Sequence, residues 1–161
     1  MTTDKTAFEK FGERLSVEQV EEGNSLSPRF DSDNLIPAIT THHKSGEVLM
    51  LGYMNKEALN KTIDTGEAHY WSRSRNCLWR KGATSGLVQR VKEMRIDDDQ
   101  DAIWIKVEIE GSGASCHVGY RSCFYREVVL KNKKGLLNFK ENKKVFDPTK
   151  VYGDAPNPTK L

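Results

Sequence analysis

Four aspartates in five residues, followed by two cysteines and a histidine, restrict this chain more than any other sequence feature. The acidic run occupies residues 97–101, and Cys116, His117 and Cys123 follow within the next 22 residues. Carboxylates that are crowded together repel each other, so burying them requires a cation. Oxygen ligands suit a hard ion such as Mg²⁺, whereas thiolates suit a softer ion, most often Zn²⁺. The sequence therefore offers candidate ligands for two unlike metals.

The segment that follows the acidic run predicts how these carboxylates are arranged. Residues 102–109 are rich in β-branched and aromatic side chains, which indicates a β-strand. If the acidic run begins that strand, successive side chains alternate between its two faces. Asp97, Asp99 and Asp101 then share one face, and Asp98 points to the other. We therefore expect the first three to act as one oxygen-only ligand set.

Each feature also has an ordinary interpretation. An acidic run is often a solvated turn, and two cysteines seven residues apart are more often buried thiols than ligands. The Asp-x-Asp-x-Asp spacing also begins an EF-hand loop and puts Glu108 at its twelfth position, but Ala102 stands where that loop needs glycine. The co-occurrence of hard and soft ligands on one strand and its following turn favours metal binding.

Length, charge and cysteine count limit the class of protein. A chain of 161 residues fits one domain, and a net charge of +2 demands neither a nucleic-acid nor a membrane partner. Apolar runs are shorter than 18 residues, so no transmembrane helix is expected, and residues 1–4 do not resemble the start of a secretory signal. Three cysteines is an odd count, which argues against a closed disulfide framework. We expect a reduced, cytoplasmic protein without a membrane or nucleic-acid partner.

The residue pattern predicts an α+β, β-rich domain: a short-stranded sheet or barrel-like structure with one or two short helices. An amphipathic helix is expected over residues 7–22 within an N-terminal extension, 1–33. Asn55 predicts the N-cap of a second helix, which ends near Gly66. The main domain is expected over 34–130, and a proline-containing tail of low packing content over 131–161. The predicted strands are 35–40, 48–54, 68–72, 87–96, 102–109, 114–116 and 122–130.

A basic segment between residues 69 and 86 suits an anionic ligand. Arginine side chains and backbone N–H groups both bind phosphate, and Trp71 and Trp79 offer aromatic faces for a base. A basic surface loop with two core tryptophans explains the same residues, and the glycine spacing matches no P-loop or dinucleotide fingerprint. The candidate substrate contacts are Trp71, Arg73, Ser74, Arg75, Lys81, Thr84, Ser85 and Gly86.

Several separated motifs resemble those of the phosphoribosyl-AMP cyclohydrolase family, in order and at the expected spacings over residues 34–130. The resemblance implies the step of histidine biosynthesis in which water opens the adenine ring of phosphoribosyl-AMP between N1 and C6. It also implies an intertwined cytoplasmic homodimer that uses Zn²⁺ and Mg²⁺ in sites shared across the interface. The motifs are His69-Tyr70-Trp71-Ser72-Arg73-Ser74-Arg75, Leu78-Trp79-Arg80-Lys81-Gly82, Thr84-Ser85-Gly86, the acidic run, Ser115-Cys116-His117-Val118-Gly119 and Arg121-Ser122-Cys123-Phe124-Tyr125.

The resemblance also implies which residues bind each metal. The third zinc cysteine of the family usually lies between the first two aspartates, where this chain has Asp98. A carboxylate is an acceptable zinc ligand, so we expect Asp98 to take that place, with His117 or a second water as alternatives. Cys77 lies in the basic loop and is no obvious substitute. The implied ligands are Asp97, Asp99 and Asp101 for Mg²⁺, and Cys116 and Cys123 for Zn²⁺.

Two histidines are candidates for moving protons in this reaction. His117 adjoins a zinc cysteine, and an unperturbed histidine pKa of about 6.5 suits proton transfer near neutral pH. An orienting role for His117 remains open, and His69 is the weaker candidate. The competing class is a non-catalytic, zinc-stabilised module that binds nucleotides or single-stranded RNA through Trp71, Trp79 and the arginines.

Overall fold

The computed structural model describes residues 11–161, so the predicted helix over 7–22 lies partly outside the described residues. The described helix begins only after Ser16, whose side chain accepts a hydrogen bond from the Gln19 N–H at 3.0 Å. In chain order the elements are α1 (Val17–Glu22), β1 (Ile36–His42), β2 (Val48–Met54), α2 (Lys56–Thr65), β3 (His69–Ser72), β4 (Cys77–Arg80), β5 (Gln89–Ile96), β6 (Ile103–Ile109), β7 (Arg126–Val128), β8 (Leu137–Phe139) and α3 (Pro148–Tyr152).

A mixed four-stranded sheet in the order β2-β1-β6-β5 forms the centre of the protein. β1 and β6 run parallel, and the pairs β1–β2 and β5–β6 are antiparallel. Within residues 11–161 this sheet is open, with β2 and β5 at its edges, and is not the barrel-like alternative. The prediction of a sheet-rich α+β domain is confirmed, and residues 11–161 form three short helices where one or two were expected.

Helix α2 and the β3–β4 hairpin cover one face of this sheet. The Asn55 side chain caps α2 by accepting from the Ala58 N–H at 2.8 Å, and Gly66 ends it with φ 70°, as the sequence predicted. Leu59 of α2 and Tyr70 of β3 are buried in the main apolar cluster with the inward side chains of β1, β2 and β6. This packing fixes β3, the strand with which the basic segment begins.

The acidic run is a loop and not the start of a strand. Residues 97–102 connect β5 to β6, and the Asp97 N–H donates to the Ala102 carbonyl at 3.1 Å. Gln100 turns the chain with a left-handed φ of 57°. The predicted alternation of side chains over this run is therefore wrong, because the pleat of a strand begins only at Ile103.

The last third of the chain contains less strand than the sequence predicted. Residues 114–116 have no regular secondary structure and lead into a turn at 117–119, across which the Cys116 N–H donates to the Tyr120 carbonyl at 3.2 Å. Strand structure within 122–130 is confined to β7. β7 pairs with β8, so the expected tail contributes one strand and also α3, although none of residues 131–161 is buried. The division into extension, domain and tail stays a prediction.

The described helices have 6, 10 and 5 residues. Within residues 11–161 none of them has the length and apolar character that crossing a bilayer requires.

Candidate metal centre and active site

Three aspartates of the acidic loop converge on one point. One carboxylate oxygen from each of Asp97, Asp99 and Asp101 lies within 4.8 Å of the others. The Asp97 Oδ1 accepts from the N–H groups of Asp101 at 2.9 Å and Ala102 at 3.1 Å, which fixes the loop around the cluster. Burial raises the pKa of Asp101, and hydrogen bonds and charge repulsion from Asp99 and Asp97 raise it further. A hard divalent cation fits this oxygen set and would relieve the repulsion.

The N-terminal segment holds this loop in place. Arg14 donates to the Asp99 carbonyl at 2.8 Å and to the Ser27 carbonyl at 2.6 Å. The buried Gln100 side chain accepts from the Ser27 N–H at 2.8 Å and donates to the Val20 carbonyl at 2.9 Å. These contacts stabilise the left-handed backbone at Gln100. A local sequence pattern does not predict that conformation, because the contacting residues are distant in the chain.

The two thiols of the candidate zinc site lie in contact with each other. Cys116 is buried and Cys123 is exposed, and their side chains are hydrogen-bonded. This bond lowers the pKa of the Cys116 thiol to about 6 and raises the pKa of Cys123. Cys116 is therefore the more readily ionised thiol, and a thiolate beside a second thiol is a donor set that suits zinc.

Lys81 lies beside these thiols in the interior of the protein. Its side chain is 3% exposed, and its Nζ donates to the Ser115 carbonyl at 2.8 Å. Burial lowers the pKa of Lys81, and the negative charge of the cysteines opposes that shift. The chain can follow this path because Gly82 has φ +89° and a Cβ there would lie 2.3 Å from the Val88 nitrogen. Residues 114–123, which carry Cys116 and Cys123, are called the thiol loop. Of the candidate substrate contacts, Lys81 thus lies against this loop.

A buried polar network connects the thiol loop to the sheet. The Tyr70 hydroxyl donates to the Gln89 Oε1 at 2.6 Å and is hydrogen-bonded to the Thr40 Oγ1 at 2.7 Å. The Gln89 Nε2 donates to the Ser115 Oγ at 3.4 Å. Sequence reasoning did not single out Gln89, and the available signal was an amide at the start of a strand whose other polar residues are all charged.

His117 and His69 have different surroundings. The Nε2 of His117 is buried without a hydrogen-bond partner in the described structure, and the side chains of His117 and Asn157 are hydrogen-bonded to each other. Burial lowers the pKa of His117. The Nδ1 of His69, by contrast, is hydrogen-bonded to the Glu67 carbonyl at 2.8 Å, next to the end of α2. Because the His117 Nε2 is buried and unpaired beside Cys116, it is available to bind a ligand or to accept a proton.

Within the described residues, no third candidate ligand lies together with the two thiols. Within residues 11–161, the aspartate cluster is the one place where three or more His, Cys, Asp or Glu side chains could share an ion. Asp98 is exposed and lies outside that cluster, and neither Asp98 nor His117 joins the two thiols in such a group. Two thiols fill half of the four positions that zinc usually uses.

Comparison with known proteins identifies the family. A family model described as phosphoribosyl-AMP cyclohydrolase matches residues 50–125. The protein of that name from Rhodopseudomonas palustris (strain BisA53) is 57% identical over 136 residues, which cover 84% of this chain and 92% of the relative. The chain belongs to the phosphoribosyl-AMP cyclohydrolase family. A further relative of the same name, from Rhizobium leguminosarum bv. trifolii (strain WSM2304), is 52% identical over 83% of this chain and 89% of its own length. The resemblance seen in the sequence motifs is confirmed, and membership in a family of hydrolases favours an enzyme over a binding module.

The motif arginines of the cyclohydrolase family lie here on an exposed turn between β3 and β4. The Arg73 guanidinium lies 4.0 Å from the ring centroid of Tyr53, and that of Arg75 lies 5.7 Å from the centroid of Trp79. Trp79 also packs against Tyr70, with centroids 5.6 Å apart, so it is partly a core residue. The remaining predicted contacts are Trp71, half-buried on β3, the exposed Ser74, and Thr84, Ser85 and Gly86 in the loop after β4.

Proposed function

We propose that this chain catalyses the hydrolytic opening of the adenine ring of phosphoribosyl-AMP, between N1 and C6, in histidine biosynthesis. The observation that carries the proposal is its similarity to proteins named phosphoribosyl-AMP cyclohydrolase over more than four-fifths of the chain. The convergence of three carboxylates and, separately, of two thiols supports a metal-dependent hydrolysis.

The two donor sets suit different ions. Asp97, Asp99 and Asp101 would hold Mg²⁺, because their donors are all oxygen. Cys116 and Cys123 would hold Zn²⁺, which when bound supplies Lewis-acid activation of a water molecule at neutral pH. The third protein ligand would be Asp98 of the partner subunit, since Asp98 of the same chain does not meet the thiols.

An apolar row on the sheet supports the homodimer that this arrangement needs. Leu51, Ile39 and Trp104 are direct neighbours across β2, β1 and β6. Ile39 is 41% exposed and Leu51 is 49% exposed, on a sheet whose other face carries the core. Burying such a row against a second copy is favourable, at about 25 cal/mol per Å² of apolar surface. We propose this face as part of the subunit interface.

The side chains around the metals have separate tasks in the proposed reaction. The unpaired Nε2 of His117 would accept a proton from the attacking water and pass it to the ring nitrogen that leaves. Arg73, Ser74 and Arg75 would hold phosphate groups through charge-assisted hydrogen bonds. Trp71 lies next to this turn and would pack against the ribose or the base.

Replacing either metal-binding cysteine tests the mechanism. We expect Cys116→Ser and Cys123→Ser to lose bound zinc and at least about a hundredfold in ring-opening rate, because thiolates are the principal soft donors. Zinc content is measured by atomic emission and ring opening by absorbance. Cys77→Ser is the matched control, since Cys77 is an exposed thiol on β4 and should leave both quantities unchanged. Undiminished turnover by a zinc-free cysteine variant would overturn the mechanism.

Restoring a cysteine at residue 98 tests the proposed third ligand. We expect Asp98→Cys to retain zinc longer against a chelator than the wild-type protein, because a thiolate is a softer donor than a carboxylate. The rate of zinc loss to a chromogenic chelator is the measurement. Equal rates in the two proteins would show that residue 98 is not a ligand.

A further inference from the structure

The chain after β8 is tied to the loop that carries Cys116 and His117. The Val145 N–H donates to the Gly119 carbonyl at 2.7 Å. Gly119 has φ +106°, and a Cβ there would lie 2.6 Å from the Phe146 carbonyl oxygen. Both the left-handed backbone and the close approach require glycine at this position. The two backbones therefore lie in direct contact beside the candidate zinc site.

Helix α3 and the turn after it direct the C-terminal segment, residues 153–161, back towards the same site. The Asp147 side chain caps α3 at 3.0 Å from the Thr149 nitrogen, and the rings of Phe146 and Tyr152 pack with centroids 6.2 Å apart. Asn157 then contacts His117 and accepts from the Thr159 N–H at 2.9 Å. This local turn sets the direction of the residues on either side of Pro158.

The C-terminal segment and the β3–β4 turn border an open depression of about 460 Å³, lined by the exposed residues Arg73, Ser74, Pro158 and Lys160. The lining therefore contains two basic side chains and one hydroxyl, and no carboxylate. The Arg73 guanidinium lies against the Tyr53 ring, which restricts its orientation. Paired cations with a hydroxyl donor are the chemistry that recognises a phosphomonoester dianion.

We propose that Lys160 completes a phosphomonoester subsite with Arg73 and Ser74, so that the C-terminal segment contributes a substrate-binding residue. The inference rests on the proposed function for the identity of the substrate, because phosphoribosyl-AMP carries two phosphomonoesters and the subsite takes one of them. Lys160 lies beyond residues 50–125, which match the family model, so this cation is an addition to the part of the site that the family motifs describe.

Steady-state kinetics of a lysine variant tests the subsite. We expect Lys160→Ala to raise KM for phosphoribosyl-AMP about tenfold and to leave kcat within about twofold, because the lost contact is made equally in ground state and transition state. Lys160→Arg should restore most of the affinity. Lys150→Ala is the matched control, because Lys150 is an exposed lysine of α3 in the same part of the chain and carries the same charge. Equal KM values for Lys160→Ala and Lys150→Ala would overturn the proposal.

Binding measurements separate this inference from the proposed function. AMP and ribose 5-phosphate each carry one of the two phosphomonoesters, and calorimetry on the full chain requires no turnover. We expect one of the two ligands to bind Lys160→Ala about tenfold more weakly than wild type, and adenosine to show no difference. If that holds in a protein that does not open the ring, the subsite stands and the proposed function fails. If Lys160→Ala binds AMP and ribose 5-phosphate as tightly as the wild-type protein does, the subsite is wrong. That result would leave the proposed function standing in an enzyme that opens the ring.

Removing residues 157–161 distinguishes a binding segment from an obstructing one. The shortened protein should show a KM at least as high as that of Lys160→Ala, because it loses Lys160 together with the Asn157 contact that positions the segment. A lower KM than that of the wild-type protein would mean that the segment blocks the depression, and the proposal would be wrong.

Discussion

Residue Gln89 joins two halves of the candidate site, because its amide contacts both Tyr70 and Ser115 in the interior. A buried polar group that loses its partner costs about 1–3 kcal/mol. We expect Gln89→Leu to lower the free energy of unfolding by about 2–3 kcal/mol, measured by urea denaturation. In a double-mutant cycle with Ser115→Ala, the combined loss should be smaller than the sum of the two single losses. Additive losses would show that the two side chains are not coupled.

Residue Asp101 belongs to the aspartate cluster. Asp98 is the sequence neighbour of Asp97 and Asp99 but is not part of the cluster. A ligand that binds only the folded state raises the melting temperature. Mg²⁺ should therefore stabilise the wild-type protein, and Asp101→Asn should lose most of this shift because one oxygen anion is removed. Differential scanning fluorimetry with and without Mg²⁺ measures it. Asp98→Asn is the control and should keep the response; its loss in both variants would argue for a diffuse charge effect.

The sequence allowed the prediction that Asp97, Asp99 and Asp101 act together, but for a wrong reason. Alternation along a strand was expected to align them, whereas a loop closed by Asp97 itself brings their oxygens together. The turn depends on Gln100, whose side chain is held by Ser27 and Val20, far away in the chain. Local residue patterns do not contain such contacts, and so the loop could not be predicted from them.

At the scale of elements, ion pairs between exposed side chains connect β5 to β6. Glu93 accepts from Arg95 at 2.6 Å and pairs with Lys106 at 2.8 Å. The hydrogen bonds from Lys106 and Arg95 lower the pKa of Glu93 below its ordinary value. A depressed carboxyl pKa contributes stability above the ordinary glutamate pKa, about 4.3, and this contribution is lost as pH falls through the folded value.

The pH dependence of the stability of a Glu93 variant tests whether the pKa of Glu93 is lowered. Glu93→Gln should melt slightly below the wild-type protein at pH 7, and the difference should disappear at a pH below the folded pKa of Glu93. The effect is small, since the pair is exposed, and it should shrink further in high salt. Melting curves across pH 3–7 provide the measurement. A difference that grows on acidification would contradict the assigned direction.

The elements that local periodicity defines were predicted well, and those that depend on distant partners were not. Asn55 and Gly66 delimit α2 as expected, because a cap and a left-handed glycine act through neighbouring residues. The segment 122–130 has the composition of a long strand, yet Cys123 donates its N–H to the Leu49 carbonyl and strand structure starts only at Arg126. The thiol loop is thus shaped by β2, which lies far away in sequence.

At the scale of the whole molecule, a mixture of two inactive variants tests whether active sites are shared between subunits. In a dimer of Cys116→Ser with Asp98→Asn, one site keeps both thiols and the carboxylate. The other site lacks both the Cys116 thiol and the Asp98 carboxylate. Mixing the two variants under exchange conditions should restore about a quarter of wild-type activity, because half of the dimers are mixed and each holds one intact site. Absence of any recovery in mixed dimers, verified by mass, would mean that each site lies within one chain.

The parallel pairing of β1 with β6 has a consequence for synthesis on the ribosome. Ala38 lies beside Ile103 in the finished sheet, so the inner edge of β1 stays unpaired while the intervening chain is translated. An open strand edge with apolar flanks is a site where nascent chains associate with one another. Every candidate metal ligand is also encoded after β5, so the ions can be captured only once β1 to β5 have been translated. Overproduction at low temperature, which slows translation relative to chain collapse, should therefore raise the yield of soluble, metal-loaded protein.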